Sequence, residues 1–409
     1  MMTDSGAFLL LALTIIAAPY AIWRLPLVQR LVPLAVIQIG TGIVLGPSLL
    51  GVVPPDLTPA LSGVGLLAVT LFAFLTGVHF DPADLKGQGR CFVAVSLSSA
   101  ILPALLGAAV GWWAFDAVPG LAGPQAGRPI FAAAIAAAIA VTALPVLAAI
   151  MKETGLDGTR IGRLALGAAV VNDLLLWVMV AMLLAGLRQD GRPLTGLAVL
   201  VGGLVWLSFM VWGVKPAVLK LLHRSWGESG PRDTALVLVA GLLFGSAALS
   251  EALGLHAVIG GFVAGAILPR RVAAAIVTRF EPFAALVLMP FFFVAAGLKV
   301  DLGGLGAGLG LFLVLVTAAA SLGKIVGAAL PARCAGLPSA DAVCLGALMQ
   351  CKGLMEVVVL TILTEAGILA PAAFTAMVVM ALLTTAATKP LVGLITKMAG
   401  SSPAIPQKD

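Results

Sequence analysis

Apolar residues along this chain do not alternate with polar ones. They run on for about twenty residues at a time, and proline, glycine or charged residues separate one run from the next. About 20 helical residues cross the roughly 30 Å hydrocarbon layer of a bilayer, so each run predicts a membrane helix. Thirteen such spans are expected, at approximately 7–23, 32–50, 60–78, 91–113, 129–151, 162–187, 194–221, 233–251, 256–268, 279–298, 303–331, 341–365 and 369–396. The expected fold class is therefore an all-α polytopic membrane protein, because in lipid every backbone polar group must be satisfied within the protein.

Composition agrees. Of 409 residues, 61% are hydrophobic and 10% charged, and no polar segment is long enough for a soluble domain. A single membrane domain over 1–409 is expected, without a soluble regulatory domain. The 47 glycines suit helices that pack closely in lipid. A net charge of +6 would suit nucleic acid if it were clustered, but the basic residues are scattered among short loops, and topology explains them better. With the N-terminus outside, only Arg128, Arg188, Arg192 and Lys299 fall in outer loops. The other loop lysines and arginines fall inside, which predicts an outside N-terminus and a cytoplasmic C-terminus. Met1–Gly6 has no basic stretch, so the first span is read as a helix and not as a cleaved leader. Four cysteines without paired spacing indicate neither a disulfide scaffold nor a metal site.

A repeat appears at a constant offset of 220 residues. Ile39-Gly40 matches Ile259-Gly260, Phe72 matches Phe292, and Gly77-Val-His-Phe-Asp81 matches Gly297-Leu-Lys-Val-Asp301. If repeat 1 (about 7–187) recurs as repeat 2 (about 233–396) around a linker helix (about 194–221), the seven-span shift reverses every helix. That is an inverted repeat of six helices, an architecture of secondary transporters.

Such a repeat predicts an interrupted helix in each half. The fifth span contains Thr142 and Pro145, and the twelfth contains Met349-Gln-Cys-Lys-Gly353; Pro145 and Gly353 are the expected helix-breaking positions. Asn172 and Asp173 lie in the sixth span with roughly ten apolar residues on either side, where a carboxylate costs about 2.5 to 3.5 kcal/mol on insertion scales. At about 1.5 Å per residue, Thr142, Asp173, Lys324 and Lys352 each fall about 12 to 16 Å from the inner end of their spans, near the midplane. A buried carboxylate there binds either a dehydrated alkali cation or a proton, since each neutralises the same charge. Thr142 and Asn172 offer further oxygens for a hard cation. Lys324 is a candidate partner of Asp173, or else extends its stem towards the cytoplasmic edge. Lys352 and Glu356, four apart on one helical face, either neutralise one another or belong to the site. Glu251, with His256, brackets the junction of spans 8 and 9 and suits a loop role better than ion binding. Lys389 reads as an interface anchor.

At these residues the sequence resembles the second family of monovalent cation:proton antiporters, which includes plant cation/proton exchangers and bacterial sodium/proton and potassium-efflux antiporters. The resemblance rests on Val141-Thr-Ala-Leu-Pro-Val146, Gly162-Arg-Leu-Ala, Val171-Asn-Asp173, Glu251-Ala-Leu-Gly-Leu-His-Ala-Val-Ile-Gly-Gly261, Pro290-Phe-Phe-Phe-Val-Ala-Ala-Gly-Leu298, Gly323-Lys-Ile325 and Lys352-Gly-Leu-Met-Glu356. It implies the thirteen-helix sodium/proton antiporter fold with crossed discontinuous helices, a homodimer, and a core that moves like an elevator. It also implies Asp173 as the ion- and proton-binding carboxylate, Asn172 as its neighbour and Lys324 as the basic residue of the core. Electrogenic relatives carry two adjacent aspartates; Asn-Asp here points to electroneutral 1:1 exchange of a proton for Na+ or K+, unless Lys324 also releases a proton. No cofactor is expected beyond the transported ions. The bilayer and a possible separate regulatory subunit are the other expected partners, and the bacterial cytoplasmic membrane is the expected location. The alternative reading is a proton-coupled exporter of a larger organic or complexed cation on the same scaffold. No nucleophile-base arrangement supports an enzyme.

Overall fold

A computed structural model describes residues 4–79, 89–143, 146–147, 150–151, 154–156, 159–187, 193–224, 226–227, 230–231, 233–253, 255–301 and 307–398. The helices are α1 (Asp4–Trp23), α2 (Pro26–Leu31), α3 (Leu34–Leu45), α4 (Thr58–His79), α5 (Gly89–Ala117), α6 (Arg128–Ala140), α7 (Arg160–Leu187), α8 (Pro193–Phe209) and α9 (Lys215–Arg224). They continue as α10 (Asp233–Ala252), α11 (Ala257–Ala266), α12 (Arg270–Phe283), α13 (Met289–Leu298), α14 (Ala307–Cys334), α15 (Ser339–Met349), α16 (Leu354–Glu365) and α17 (Pro371–Met398). One-turn π segments, Met210–Val214 and Ala284–Leu288, join α8 to α9 and α12 to α13. Between α9 and α10, β1 (Trp226–Gly227) and β2 (Gly230–Pro231) form a two-residue antiparallel ladder.

Nine helical segments among the described residues are long and apolar enough to cross a membrane, and they fall on expected spans 1, 3, 4, 6, 7, 8, 10, 11 and 13. At spans 2, 5, 9 and 12 stand the shorter apolar helices α3, α6, α11 and α15. Large apolar side chains such as Leu13, Leu105, Leu204, Trp212, Val237 and Val314 are exposed. A surface so apolar suits lipid and not water.

Two short helices have a visible local end. After Ala140, Val141 is extended, and helical residues are next described from Val146. α15 stops at Met349, and α16 starts at Leu354 after Gly353, whose φ of +151° a side chain rarely adopts. The continuous runs 129–151 and 341–365 are thus interrupted near their middles.

The chain divides into two compact units. The first comprises Met1–Ala12, Pro54–Ala83 and Ala181–Ala295. Phe74, Val239, Leu243, Ala264, Leu268 and Ile276 are among the residues of its core. Here α4 and α11 meet backbone to backbone: a Cβ on Gly77 would strike the Phe262 carbonyl, and one on Gly265 the Phe74 carbonyl. The second unit comprises Leu13–Val53, Asp84–Val180 and Ala296–Asp409. In it α14 lies against α5, where a Cβ on Gly323 would be 2.7 Å from Pro103 Cα and one on Gly327 2.7 Å from the Ser98 carbonyl. Gly346 brings α15 equally close to Ile325 of α14, and Gly297 brings α13 onto Ile39 and Gly42 of α3. Small residues let these backbones approach, and so set the positions of the polar side chains they carry.

Candidate ion-binding site

Helix α7 passes unbroken through Asn172 and Asp173, each 2% exposed. Successive helical residues point about 100° apart, so the two side chains face different neighbours. Asn172 faces Ser96 and Ser99 of α5 and Lys324 of α14. With its amide oxygen towards the ammonium, Asn172 accepts from Lys324 Nζ at 3.0 Å and from Ser99 Oγ at 3.2 Å, while its nitrogen donates to the Ser96 carbonyl at 2.9 Å. The opposite orientation leaves only a bond to Ser99 and turns an N–H towards a cation. The donor and acceptor inventory selects the first.

Lys324 is fully buried and gives its hydrogen bond to this amide. Its interaction with Asp173 is Coulombic, through space. Neither oxygen of Asp173 has a hydrogen-bond partner among the described residues. A carboxylate in that position is tolerated when a proton or a cation removes its charge.

The two interruptions are bonded to each other. The Thr142 hydroxyl donates to the Met349 carbonyl at 2.8 Å, and the Ala143 amide donates to the Cys351 carbonyl at 3.0 Å. Thr142 keeps lone pairs for a second interaction, as its hydroxyl proton is committed. Lys352, fully buried, donates to the carbonyls of Ala138 (3.1 Å), Ile139 (2.6 Å) and Val141 (3.4 Å), and lies 3.6 Å from Glu356 Oε2. Lys324 is also within Coulombic reach of Lys352 and Glu356, which links the two clusters electrostatically.

Of the residues the sequence points to, the second unit therefore holds Thr142, Asn172, Asp173, Lys324, Lys352, Gly353 and Glu356. Pro145 lies outside the described residues. Glu251 belongs to the first unit, is exposed, and accepts from the Ala257 amide at 2.7 Å at the start of α11. Sequence reasoning passed over Ser99, whose hydroxyl in an apolar helix was a visible signal, and Ser96, which acts through its main-chain carbonyl and so leaves none. Gln350, which the sequence marks only as part of the interruption 349–353, has a buried side-chain nitrogen without a hydrogen-bond partner among the described residues.

Membrane-length apolar helices, with two interrupted helices bonded at their breaks and a desolvated carboxylate, define a multi-pass membrane protein. The model of the transmembrane sodium/hydrogen exchanger family matches residues 9–393, and the chain belongs to that family, whose members are transporters and not enzymes. It is 35% identical over 372 residues to the Na(+)/H(+) antiporter NhaS4 of Synechocystis, covering 87% of this chain and 89% of that protein. It is 34% identical over 377 residues to cation/H(+) antiporter 17 of Arabidopsis thaliana, covering 89% of this chain. The match spans only 45% of that plant protein, about half its length. The solved structure of the sodium proton antiporter MjNhaP1 from Methanocaldococcus jannaschii superposes with a TM-score of 0.62, covering 98% of each chain at 13% identity, so the two share a fold.

Proposed function

We propose that this protein is a secondary antiporter that exchanges protons for Na+ or K+, with Asp173 holding cation and proton in turn. The observation that carries the reading is the Asp173 carboxylate, buried in a membrane helix with both oxygens unpartnered among the described residues, beside an Asn172 that engages the nearby lysine. One carboxylate that swaps one proton for one cation moves no net charge, which supports electroneutral 1:1 exchange. Asn172 and Thr142 are the further oxygen donors of the reading. The name of the cyanobacterial relative specifies Na+ and that of the plant relative leaves the cation open, so both alkali ions belong in the proposal.

The proposal extends to thirteen crossings in two inverted repeats. Short helices at spans 2 and 5 and again at 9 and 12 support it. So does a pair of contacts: Gly77 meets Phe262, and Gly297 meets Gly42, the positions reached by adding 220 to the first residue and subtracting 220 from the second. An elevator requires that the ion site travel as one body, and every residue of the candidate site belongs to one compact unit. A homodimer in a bacterial cytoplasmic membrane, with the N-terminus outside, completes the reading.

The test is proton flux in proteoliposomes under an imposed pH gradient, with separate pulses of Na+, K+ and a neutral osmolyte. Cation-specific dissipation that vanishes in Asp173→Asn is the expected result. Folded protein that answers neither ion overturns the proposal and directs attention to larger cations.

A further inference from the structure

Three main-chain carbonyls at the end of α6 converge on one ammonium, that of Lys352, at 3.1, 2.6 and 3.4 Å, and the Glu356 carboxylate stands 3.6 Å from it. Helix termination leaves such carbonyls without amide donors, and the aligned peptide dipoles give that end partial negative charge. The lysine does not come from α6. It reaches in from the interruption after α15, 211 to 214 residues along the chain. Lys352 and Glu356 are both fully buried, and the Glu356 oxygens make no hydrogen bond among the described residues. Neutral carbonyl oxygens with a single carboxylate are a donor set for a hard monovalent cation, and an ammonium competes for the same oxygens.

We propose that the carbonyls of Ala138, Ile139 and Val141 with the Glu356 carboxylate form a second monovalent-cation site, separate from Asp173, which the tethered ammonium of Lys352 keeps permanently filled. The lysine thereby satisfies the α6 terminus, joins the two interruptions and denies the transported ion a second resting place. The site is independent of which ion is exchanged at Asp173.

Emptying the site should make it bind a free cation. Lys352→Ala removes the stem and the charge, while Lys352→Met removes the charge but keeps the space filled with apolar atoms. Both are made in an Asp173→Asn background, so that the exchange site contributes nothing. Each protein is purified in methylammonium, in K+ and in N-methylglucamine at equal ionic strength, and thermal unfolding is recorded. Methylammonium or K+ should raise the Tm of the alanine variant by about 3 to 5 °C at about 100 times its Kd, relative to N-methylglucamine. The methionine variant and the Lys352 parent should show no such rise, and adding Glu356→Gln to the alanine variant should abolish it. If the alanine variant is recovered only with methylammonium or K+ present, that recovery is the same result read earlier. An alanine variant that folds without cation-dependent stabilisation overturns the proposal, as does one that no cation recovers, or an equal rise in the methionine variant.

Discussion

Replacing Asp173 by asparagine separates a working carboxylate from a structural one by the sign of its effect on stability. An aspartate at the centre of a membrane helix costs about 2.5 to 3.5 kcal/mol. No hydrogen bond among the described residues offsets that cost at Asp173, and Coulombic attraction to Lys324 recovers part of it. Asparagine keeps the shape and sheds the charge, so Asp173→Asn should leave the protein about 1 to 3 kcal/mol more stable in the absence of alkali cations. A carboxylate whose purpose was to neutralise Lys324 would behave oppositely, since breaking a buried ion pair costs about 3 to 5 kcal/mol. The assay is thermal unfolding of purified protein in N-methylglucamine, with and without Na+ or K+. Wild type should gain about 2.7 kcal/mol at a cation concentration 100 times its Kd, and the variant should gain nothing. A variant destabilised by more than about 2 kcal/mol, or one that keeps the cation-dependent gain, refutes the assignment of Asp173 as the exchanging group.

Lys324→Met leaves the Asn172 amide oxygen without its cation and should cost about 1 to 3 kcal/mol, with proteoliposome flux falling more than about tenfold. Gly353→Ala places a Cβ 2.9 Å from Val146 Cγ2 at a φ of +151°, and should lower stability by about 1 to 3 kcal/mol in the same unfolding assay. Lys299→Ala breaks an ion pair with Glu365 that is roughly half exposed, so stability should change by less than about 1 kcal/mol and flux should be unchanged.

Much of this was legible in the sequence because membranes simplify the code. Length and apolarity located the nine long helices among the described residues, most of them within about five residues, and a charge inside an apolar run singled out Asp173 and Lys324. Thr142 and Lys352 lie at interruptions, expected from Pro145 with Thr142 in one span and from polar residues with Gly353 in the other; Pro145 itself lies outside the described residues. What pattern did not reveal is which partner each polar group takes. Lys324 was weighed as a partner of Asp173 or as a stem reaching for the cytoplasmic edge, and its hydrogen bond goes to Asn172. Lys352 was expected on one helical face with Glu356, either neutralising it or belonging to the site; it stands instead in the interruption before α16, and carbonyls more than 200 residues away in sequence hold its ammonium. Backbone acceptors carry no residue-type signal, and the close helix approaches at Gly323 and Gly327 that bring α5 and α14 together are not evident from glycine content alone.

The adjacency of Asn172 and Asp173 also acquires a physical meaning. Two neighbouring helical side chains diverge by about 100° and do not readily share one partner. The amide takes the lysine, and two serines of α5 hold that amide in place. Lys324 is thereby engaged by a neutral group, at 3.0 Å, while its charge still acts on the carboxylate next door. A lysine bonded directly to Asp173 would have to be displaced by every incoming cation, and that displacement would expose two buried charges at once. On the proposed mechanism the arriving ion needs only to shed its water and meet a carboxylate that no hydrogen bond holds. On that proposal the buried pair divides its work: Asn172 holds the lysine, and Asp173 is left available for exchange.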